Sequence, residues 1–268
     1  MEFRVPYERM SSADERKGLI LPSSMSENLA EFLGALCGDG HMSQYTNSQG
    51  YPGYRIEVCG HSVHDKDYLC NHMYNLIREL FGLEAKFSYH KNQNTMVAYL
   101  SSPGLFFFLE SVGINIGPKN DISIPAPVLK ESRFITHFIR GFFDTDGCVA
   151  LKKRHRDSGY YPTISLSQKS KGITKHVSSL LKDMGFNVVA YYDIPVDLGT
   201  GRQYHINKLE INGRDSLEKW MGFIGFSNPK HLSKVSICLN TYKNGIVKSY
   251  CKRCYGASRN RTHKPLDV

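Results

Sequence analysis

The 268-residue chain has no run of 18 or more apolar residues, which excludes a helical membrane span. Its first residues, Met1 to Asp14, mix acids with bases and hold no apolar segment, so a secretory signal is not expected. A second CxxC pair is missing too. Seven cysteines are scattered at 37, 59, 70, 148, 238, 251 and 254, and only Cys251 and Cys254 have metal-clip spacing, which is half a zinc site. An odd cysteine count without a leader predicts reduced thiols. The expected compartment is the cytoplasm or nucleoid, or an organelle matrix for an organelle-encoded chain. Acids are in short supply as well. Twenty-five Asp and Glu face 34 Lys and Arg, a net charge of +9. Such a surplus favours an anionic partner, most often a nucleic acid, although charge alone does not decide it. A hydrophobic content of 41% is that of an ordinary globular chain, long enough for one large domain or two moderate ones.

What the chain does have is a repeat. Leu19-Ile20-Leu21-Pro22 precedes an apolar helix ending in Gly38-Asp39-Gly40, and Ile122-Ser123-Ile124-Pro125 precedes another ending in Thr145-Asp146-Gly147. A polar strand-like stretch follows each. Next comes an amphipathic helix closed by glycine: Leu69, Met73, Leu76, Ile77 and Leu80 before Gly82, then Ile173, Val177, Leu180, Leu181 and Met184 before Gly185. Two more strand-like stretches follow in each copy, 85–91 with 95–101 and 188–193 with 204–211. A short apolar helix closes each copy, followed by Pro118-Lys119 or Pro229-Lys230. Landmarks from Pro22/Pro125 to Gly113/Gly225 keep spacings of 103 to 112 residues. The predicted architecture is two αββαββ units whose strand pairs form antiparallel hairpins, related by a pseudo-twofold axis. Residues 1–116 form the first repeat, 117–132 a linker and 133–241 the second repeat. Residues 242–268 form a basic tail that orders on a polyanion.

The chemistry is expected where the first helix of each copy ends. Gly34 and Gly38 share one helix face, as do Gly141 and Thr145, and small residues at that spacing let two backbones approach. Phe32, Leu33 and Leu36, with Phe138, Ile139, Phe142 and Phe143, would bury the remaining sides. Such packing brings Asp39 and Asp146 together at two helix C-termini, where the dipole disfavours a carboxylate by ~0.3–1 kcal/mol. The placement makes sense if divalent cations sit between the acids and substrate phosphates, since Mg²⁺ takes one or two carboxylates plus phosphate oxygens.

Phe32-Leu33-Gly34-Ala35-Leu36-Cys37-Gly38-Asp39-Gly40 and Ile139-Arg140-Gly141-Phe142-Phe143-Asp144-Thr145-Asp146-Gly147 resemble the two motif copies of the LAGLIDADG homing endonucleases. The first copy departs at Cys37, where the family often has an acid. The resemblance spans roughly residues 19–235. It implies an α+β fold of two αββαββα repeats with saddle-shaped antiparallel sheets and a paired central helix interface. The implied activity is Mg²⁺-dependent double-strand cleavage of a long, asymmetric DNA site across the minor groove, leaving short 3′ overhangs. Asp39 and Asp146 would share two or three divalent ions, with Cys37 and Asp144 packing behind them. Lys119 and Lys230, taken as equivalent, resemble lysines beside the scissile phosphates. Gln168 resembles the polar residue that ends the second strand and holds water at the metals, and its counterpart in the first copy is Gly60.

Alternation of apolar with polar residues gives each strand one face for the core and one for solvent or DNA. The expected DNA-facing set is Arg55, Glu57, Lys86, Ser88, His90, Thr163, Ser165 and Lys208, with Lys152, Lys153 and Arg154 on the phosphate backbone. The partner is double-stranded DNA and the expected working form a monomer, since one chain holds both repeats. Two alternatives keep the fold: an intron-encoded RNA maturase, for which host intron RNA is the partner, and a non-cleaving DNA-binding regulator. The regulator would carry an added helix-turn-helix, and none is evident after Val235. An intein-borne form is not expected, because Met1 and Leu266-Asp267-Val268 lack splice-junction residues.

Overall fold

A computed structural model describes residues 2–90, 93–153, 160–197 and 203–243. Arg154 and the tail with Cys251 and Cys254 lie outside the described residues. An N-terminal arm holds a 3₁₀ turn at Tyr7–Arg9 and helix α1 at Ser12–Arg16. The first repeat then runs α2 (Glu27–Cys37), β1 (Gly40–Thr46), β2 (Pro52–His61), α3 (Tyr74–Phe81), β3 (Lys86–His90), β4 (Thr95–Leu100) and α4 (Pro103–Ser111). A π-helical stretch, Tyr68–Met73, leads into α3. The second repeat runs α5 (Ser132–Asp146), β5 (Gly147–Lys153), β6 (Tyr160–Gln168), α6 (Lys171–Asp183), β7 (Val188–Asp197), β8 (Gln203–Asn212) and α7 (Arg214–Phe223). Helix α8 (Pro229–Lys243) follows and crosses the boundary expected at residue 242.

Each repeat builds one fully antiparallel four-stranded sheet, in the orders β1-β2-β4-β3 and β5-β6-β8-β7. The fold is α+β with two copies of one topology. Register makes the duplication explicit. Gly40 faces Val58 and Gly147 faces Leu166, so Gly60 is the counterpart of Gln168. The inward rows, Ile56 and Val58 in one sheet and Val149, Ile164, Leu166, Leu209 and Ile211 in the other, are buried beneath the helices. At roughly 2 kcal/mol per fully buried aliphatic side chain, these rows and the helix faces over them are the main source of each repeat's stability. In β3 the alternation ends early: Phe87 packs on the core, while Tyr89, on the same face by a strand's two-residue period, is exposed at the strand end.

Local chemistry sets the element starts. Ser26 accepts from the backbone N–H of Leu29 at 3.1 Å and caps α2, and Ser102 caps α4 in the same way, with Pro103 at the first helical position. Asp14 receives the backbone N–H of Gly104 and ties the N-terminal arm to α4. The linker is packed down rather than loose. Ile122, Ile124 and Val128 are buried, and Ser170 exchanges hydrogen bonds with the Ile122 backbone.

Candidate active site

Helices α2 and α5 pair at the centre of the molecule, where a methyl group would not fit. A Cβ on Gly34 would stand 2.1 Å from the Phe138 carbonyl oxygen, and one on Gly141 would stand 2.0 Å from that of Glu31. Farther along, Gly38 lies against the Thr145 side chain, its ideal Cβ position 1.9 Å from Oγ1. Gly38 and Thr145 immediately precede Asp39 and Asp146. The contact therefore lies immediately before both acids, which are 107 residues apart in the chain.

Two negative helix ends and two carboxylates need a positive group, and Lys119 supplies it. Its ammonium donates to the carbonyls of Leu36 at 2.7 Å, of Cys37 at 3.3 Å and of Gly38, the last carbonyls of α2. Burial pulls the Lys119 pKa below the ordinary lysine value, while the fields of Asp146 and Asp39 partly restore it. One ammonium thus feels both acids. The Cys37 thiol beside it is pushed up to about 12, chiefly by burial and further by Asp146 of the other repeat, so it packs as a neutral group. Gln168 donates from Nε2 to Asp146 Oδ2 at 2.7 Å and accepts the Lys169 backbone N–H on Oε1, fixing one rotamer of the acid.

The two repeats do not match in detail. The sequence pairing of Lys119 with Lys230 fails in three dimensions, because Lys230 turns to Asp65 in a 2.6 Å ion pair. The carbonyl equivalent to that of Cys37 belongs to Asp144, and it is met by Asn228 Nδ2 at 2.9 Å and His231 Nε2 at 3.2 Å. The spacing of 112 that relates Gly113 to Gly225 also relates Lys119 to His231, whereas the Pro-Lys match uses 111 and conceals it. His231 stays neutral, its pKa lowered to about 3 by burial and by Lys230 and Lys234.

Asp144 packs behind the acids within a buried polar network whose other members the sequence did not single out. Asp144 accepts the backbone N–H groups of Ser227 and Asn228 at 3.0 Å, and burial nonetheless raises its pKa to about 7. Glu31 of the first repeat bonds to His72 and Ser227, both at 2.6 Å, and pairs with Arg140 of the second at 3.4 Å. Burial opposes ionisation of Glu31, but these partners outweigh it and its pKa is lowered. A charged residue inside an apolar helix, as at Glu31 and Arg140, was the available signal.

Comparison with known proteins bears on this geometry. A family model described as a LAGLIDADG-like domain matches residues 133–225. That match lies within the second repeat. The chain as a whole has the fold of the LAGLIDADG homing endonucleases. The solved structure of I-DmoI in complex with DNA and Ca aligns at TM-score 0.55 and 19% identity, covering 79% of this chain and 96% of that one. The LAGLIDADG meganuclease I-AabMI, bound to uncleaved DNA, aligns at TM-score 0.52 and 13% identity over 87% of this chain and 97% of its own. By sequence, the chain is 25% identical over 225 residues to the replication factor C small subunit of Methanocaldococcus jannaschii. That match covers 83% of this chain and 11% of the relative. An uncharacterized protein of the same organism is 24% identical over 62% of this chain and 57% of its own length. The chain thus spans only part of both curated relatives.

The donor set suits a hard cation. Among the described residues no group of three or more His, Cys, Asp or Glu forms a ready-made metal cage. A pair of carboxylates at the ends of the two central helices is instead the sparse oxygen set that Mg²⁺ accepts when phosphates complete its shell.

On the first sheet, register puts His41, Glu57, Tyr99 and Lys86 in one row, with Arg55 on the same face. Arg55 donates to Glu57 at 2.6 Å and its guanidinium lies 4.0 Å from the Tyr99 ring centroid. Lys86 and His90 are exposed. On the second sheet, Ser165 and Lys208 share the outward face, and Glu210 between them pairs with Lys208 at 2.7 Å and with Lys152. Three residues of the expected DNA-facing set are placed otherwise. Thr163 is buried and donates its hydroxyl to Asn212 Oδ1. The Ser88 hydroxyl is buried without a partner among the described residues. Lys153 projects from the opposite face to Lys152, as the two-residue period of a strand requires.

Proposed function

We propose that the chain is a site-specific homing endonuclease that makes Mg²⁺-dependent double-strand breaks in a long, asymmetric DNA duplex, leaving short 3′ overhangs. One observation carries this reading: the residues that precede Asp39 and Asp146 touch at the Gly38–Thr145 contact, and the Lys119 ammonium lies within the field of both acids. Asp39 and Asp146 would hold the cations. When bound, Mg²⁺ supplies polarisation of a phosphate oxygen and a water of lowered pKa. Gln168 keeps the Asp146 carboxylate in one orientation, so the acid meets its ligand without reorganising. Lys119 offsets the negative charge of two helix ends and two acids, and its ammonium stands ready for charge that builds on a phosphate in the transition state.

Each sheet would lie along one half-site. Lys86, His90 and Arg55 on one side and Ser165 and Lys208 on the other differ in type, so the two half-sites differ in sequence. A single chain supplies both halves, and the working form is a monomer.

The test is a randomised duplex library incubated with the protein and Mg²⁺, followed by sequencing of the ends. Paired ends with 3′ extensions of a few nucleotides, absent without Mg²⁺ and absent with Asp146→Asn, are the expected result. Cleavage at full rate by Asp146→Asn contradicts the reading.

A further inference from the structure

The two halves of the LAGLIDADG site are built from different polar groups, and one of them has lost a side chain. Gln168 ends β6 and orders Asp146. Its register counterpart Gly60, near the end of β2, has nothing to offer Asp39, although the adjacent Cys59 backbone N–H donates to the Asp39 carbonyl at 3.0 Å. The space is nevertheless filled. A Cβ on Gly60 would stand 2.8 Å from Cβ and 3.4 Å from Cγ of Asp65, which enters from the turn after β2, and 3.1 Å from Cδ1 of Leu69. Asp65 is only 8% exposed. It accepts the His61 backbone N–H at 2.9 Å and the Asn228 amide at 2.8 Å, and it pairs with Lys230 at 2.6 Å.

We infer that Asp65 is the positioning residue of the first half-site, its carboxylate occupying the space left by Gly60 and holding the Lys230 ammonium for the strand that Gln168 does not serve. Three observations converge on it. The glycine makes room where the other repeat has a polar side chain. A nearly buried acid shares that room with Leu69, although an apolar side chain alone would carry no cost of desolvating a charge. Lys230, the lysine that fails to reach a helix end as Lys119 does, is the group this acid captures. The arrangement also crosses the pseudo-twofold: Asn228 Nδ2 bonds both to Asp65 and, at 2.9 Å, to the Asp144 carbonyl that ends α5. A turn of the first repeat thereby fixes the ammonium of the second. Partners from three directions hold the Asp65 carboxyl below its ordinary pKa, against burial, so the acid stays charged at neutral pH.

The inference rests on the nuclease reading, and its test separates the two. The substrate is a supercoiled plasmid carrying a site recovered from the random library, with each strand labelled. Asp65→Asn slows nicking of one strand about tenfold more than the other, and Gln168→Ala has the opposite strand preference. The conservative variant Asp65→Glu, which keeps a carboxylate for the Lys230 ammonium, retains the rate on the strand that Asp65→Asn slows to within about threefold of the parent. Thermal melting accompanies each variant, because Asp65→Asn leaves the Lys230 ammonium without its ion pair. In metal-free protein, NMR of the lysine ammonium groups shows slow proton exchange at Lys230 that is lost in Asp65→Asn. Equal slowing of both strands, slowing of the same strand by both Asp65→Asn and Gln168→Ala, or equal loss in Asp65→Glu and Asp65→Asn overturns the inference. If the parent cuts neither strand, the nuclease reading falls, while the ammonium signal still reports whether Asp65 holds Lys230.

Discussion

The first and second repeats agree where backbones touch and differ where charges meet. Gly34 and Gly141 do the same work on α2 and α5, each letting the other helix's carbonyl approach to a distance no side chain permits. The two sheets have the same strand order. At the helix ends the agreement stops. Helix α2 ends on a lysine ammonium, and α5 ends on a neutral histidine and an asparagine amide. The acid of the second repeat has Gln168, and that of the first has a glycine backed by an ion pair. Packing geometry tolerates little drift after duplication, because a methyl group in a backbone contact is as damaging in one copy as in the other. Polar groups are replaceable so long as charge and hydrogen bonds still close, and here they close differently on each side.

The sharpest way to break this comparison is at the cation. Lys119→Met removes the ammonium that serves both acids and should lower cleavage of both strands on the order of a hundredfold, whereas Lys230→Met should slow one strand only. Strand-resolved cleavage rates check this, and equal behaviour of the two lysines would restore the symmetry expected from sequence. Next in size are the helix contacts. Gly34→Ala and Gly141→Ala should each cost about 3 kcal/mol, read by denaturant melts, since the added carbon meets backbone rather than a movable side chain. A large cost at one glycine alone would show that the repeats do not share this contact.

A third experiment uses pH. The folded chain keeps His231 neutral to about pH 3, so the unfolded chain binds that proton first, starting near 6.5. Its stabilising contribution is present above 6.5 and is lost as pH falls, by up to about 1.4 kcal/mol per pH unit. Asp144 works in the opposite sense. Its pKa of about 7 makes its contribution greatest at low pH and loses it as pH rises through 7. The two slopes oppose each other between pH 4 and 6.5. In His231→Asn only the Asp144 slope remains, and metal-free protein should gain stability relative to the parent as pH falls through that window. An unchanged difference across pH 4 to 6.5, read by thermal or urea melts, contradicts the assignment. The smallest effect is at the sheets: Lys86→Ala should weaken DNA binding modestly and reduce the salt slope by about one.

Most of the fold was legible because two periodicities and one duplication carried it. Leu69 through Leu80 mark a helix face, Ile56 and Val58 a strand face, and the two Asp-Gly helix ends mark the repeat. The acids and the small residues were visible for the same reason, whereas Gln168, whose counterpart is Gly60, came from the family resemblance. What escaped depends on one-residue differences of path. Pro118-Lys119 and Pro229-Lys230 look alike, yet the chain is one residue out of step there, and His231 arrives where Lys119 predicts a lysine. Asp65 was invisible because its role comes from the empty space at Gly60. Thr163 obeys the alternation of β6 but is buried by its surroundings, which local pattern does not encode. Helix α8 has a weak apolar stripe, with Val235 and Cys238 buried beside exposed Leu232 and Ile237, and was passed over as the approach to a tail.

Everything functional depends on Asp39 and Asp146 acting as one site. Crystals of the protein with a duplex selected from the library, grown with Mn²⁺, would test this directly through the anomalous signal of the metal. The predicted result is density between the two carboxylates, within bonding distance of both and of a phosphate oxygen. Metal bound elsewhere, or two carboxylates turned away from one another with the DNA in place, would contradict the account.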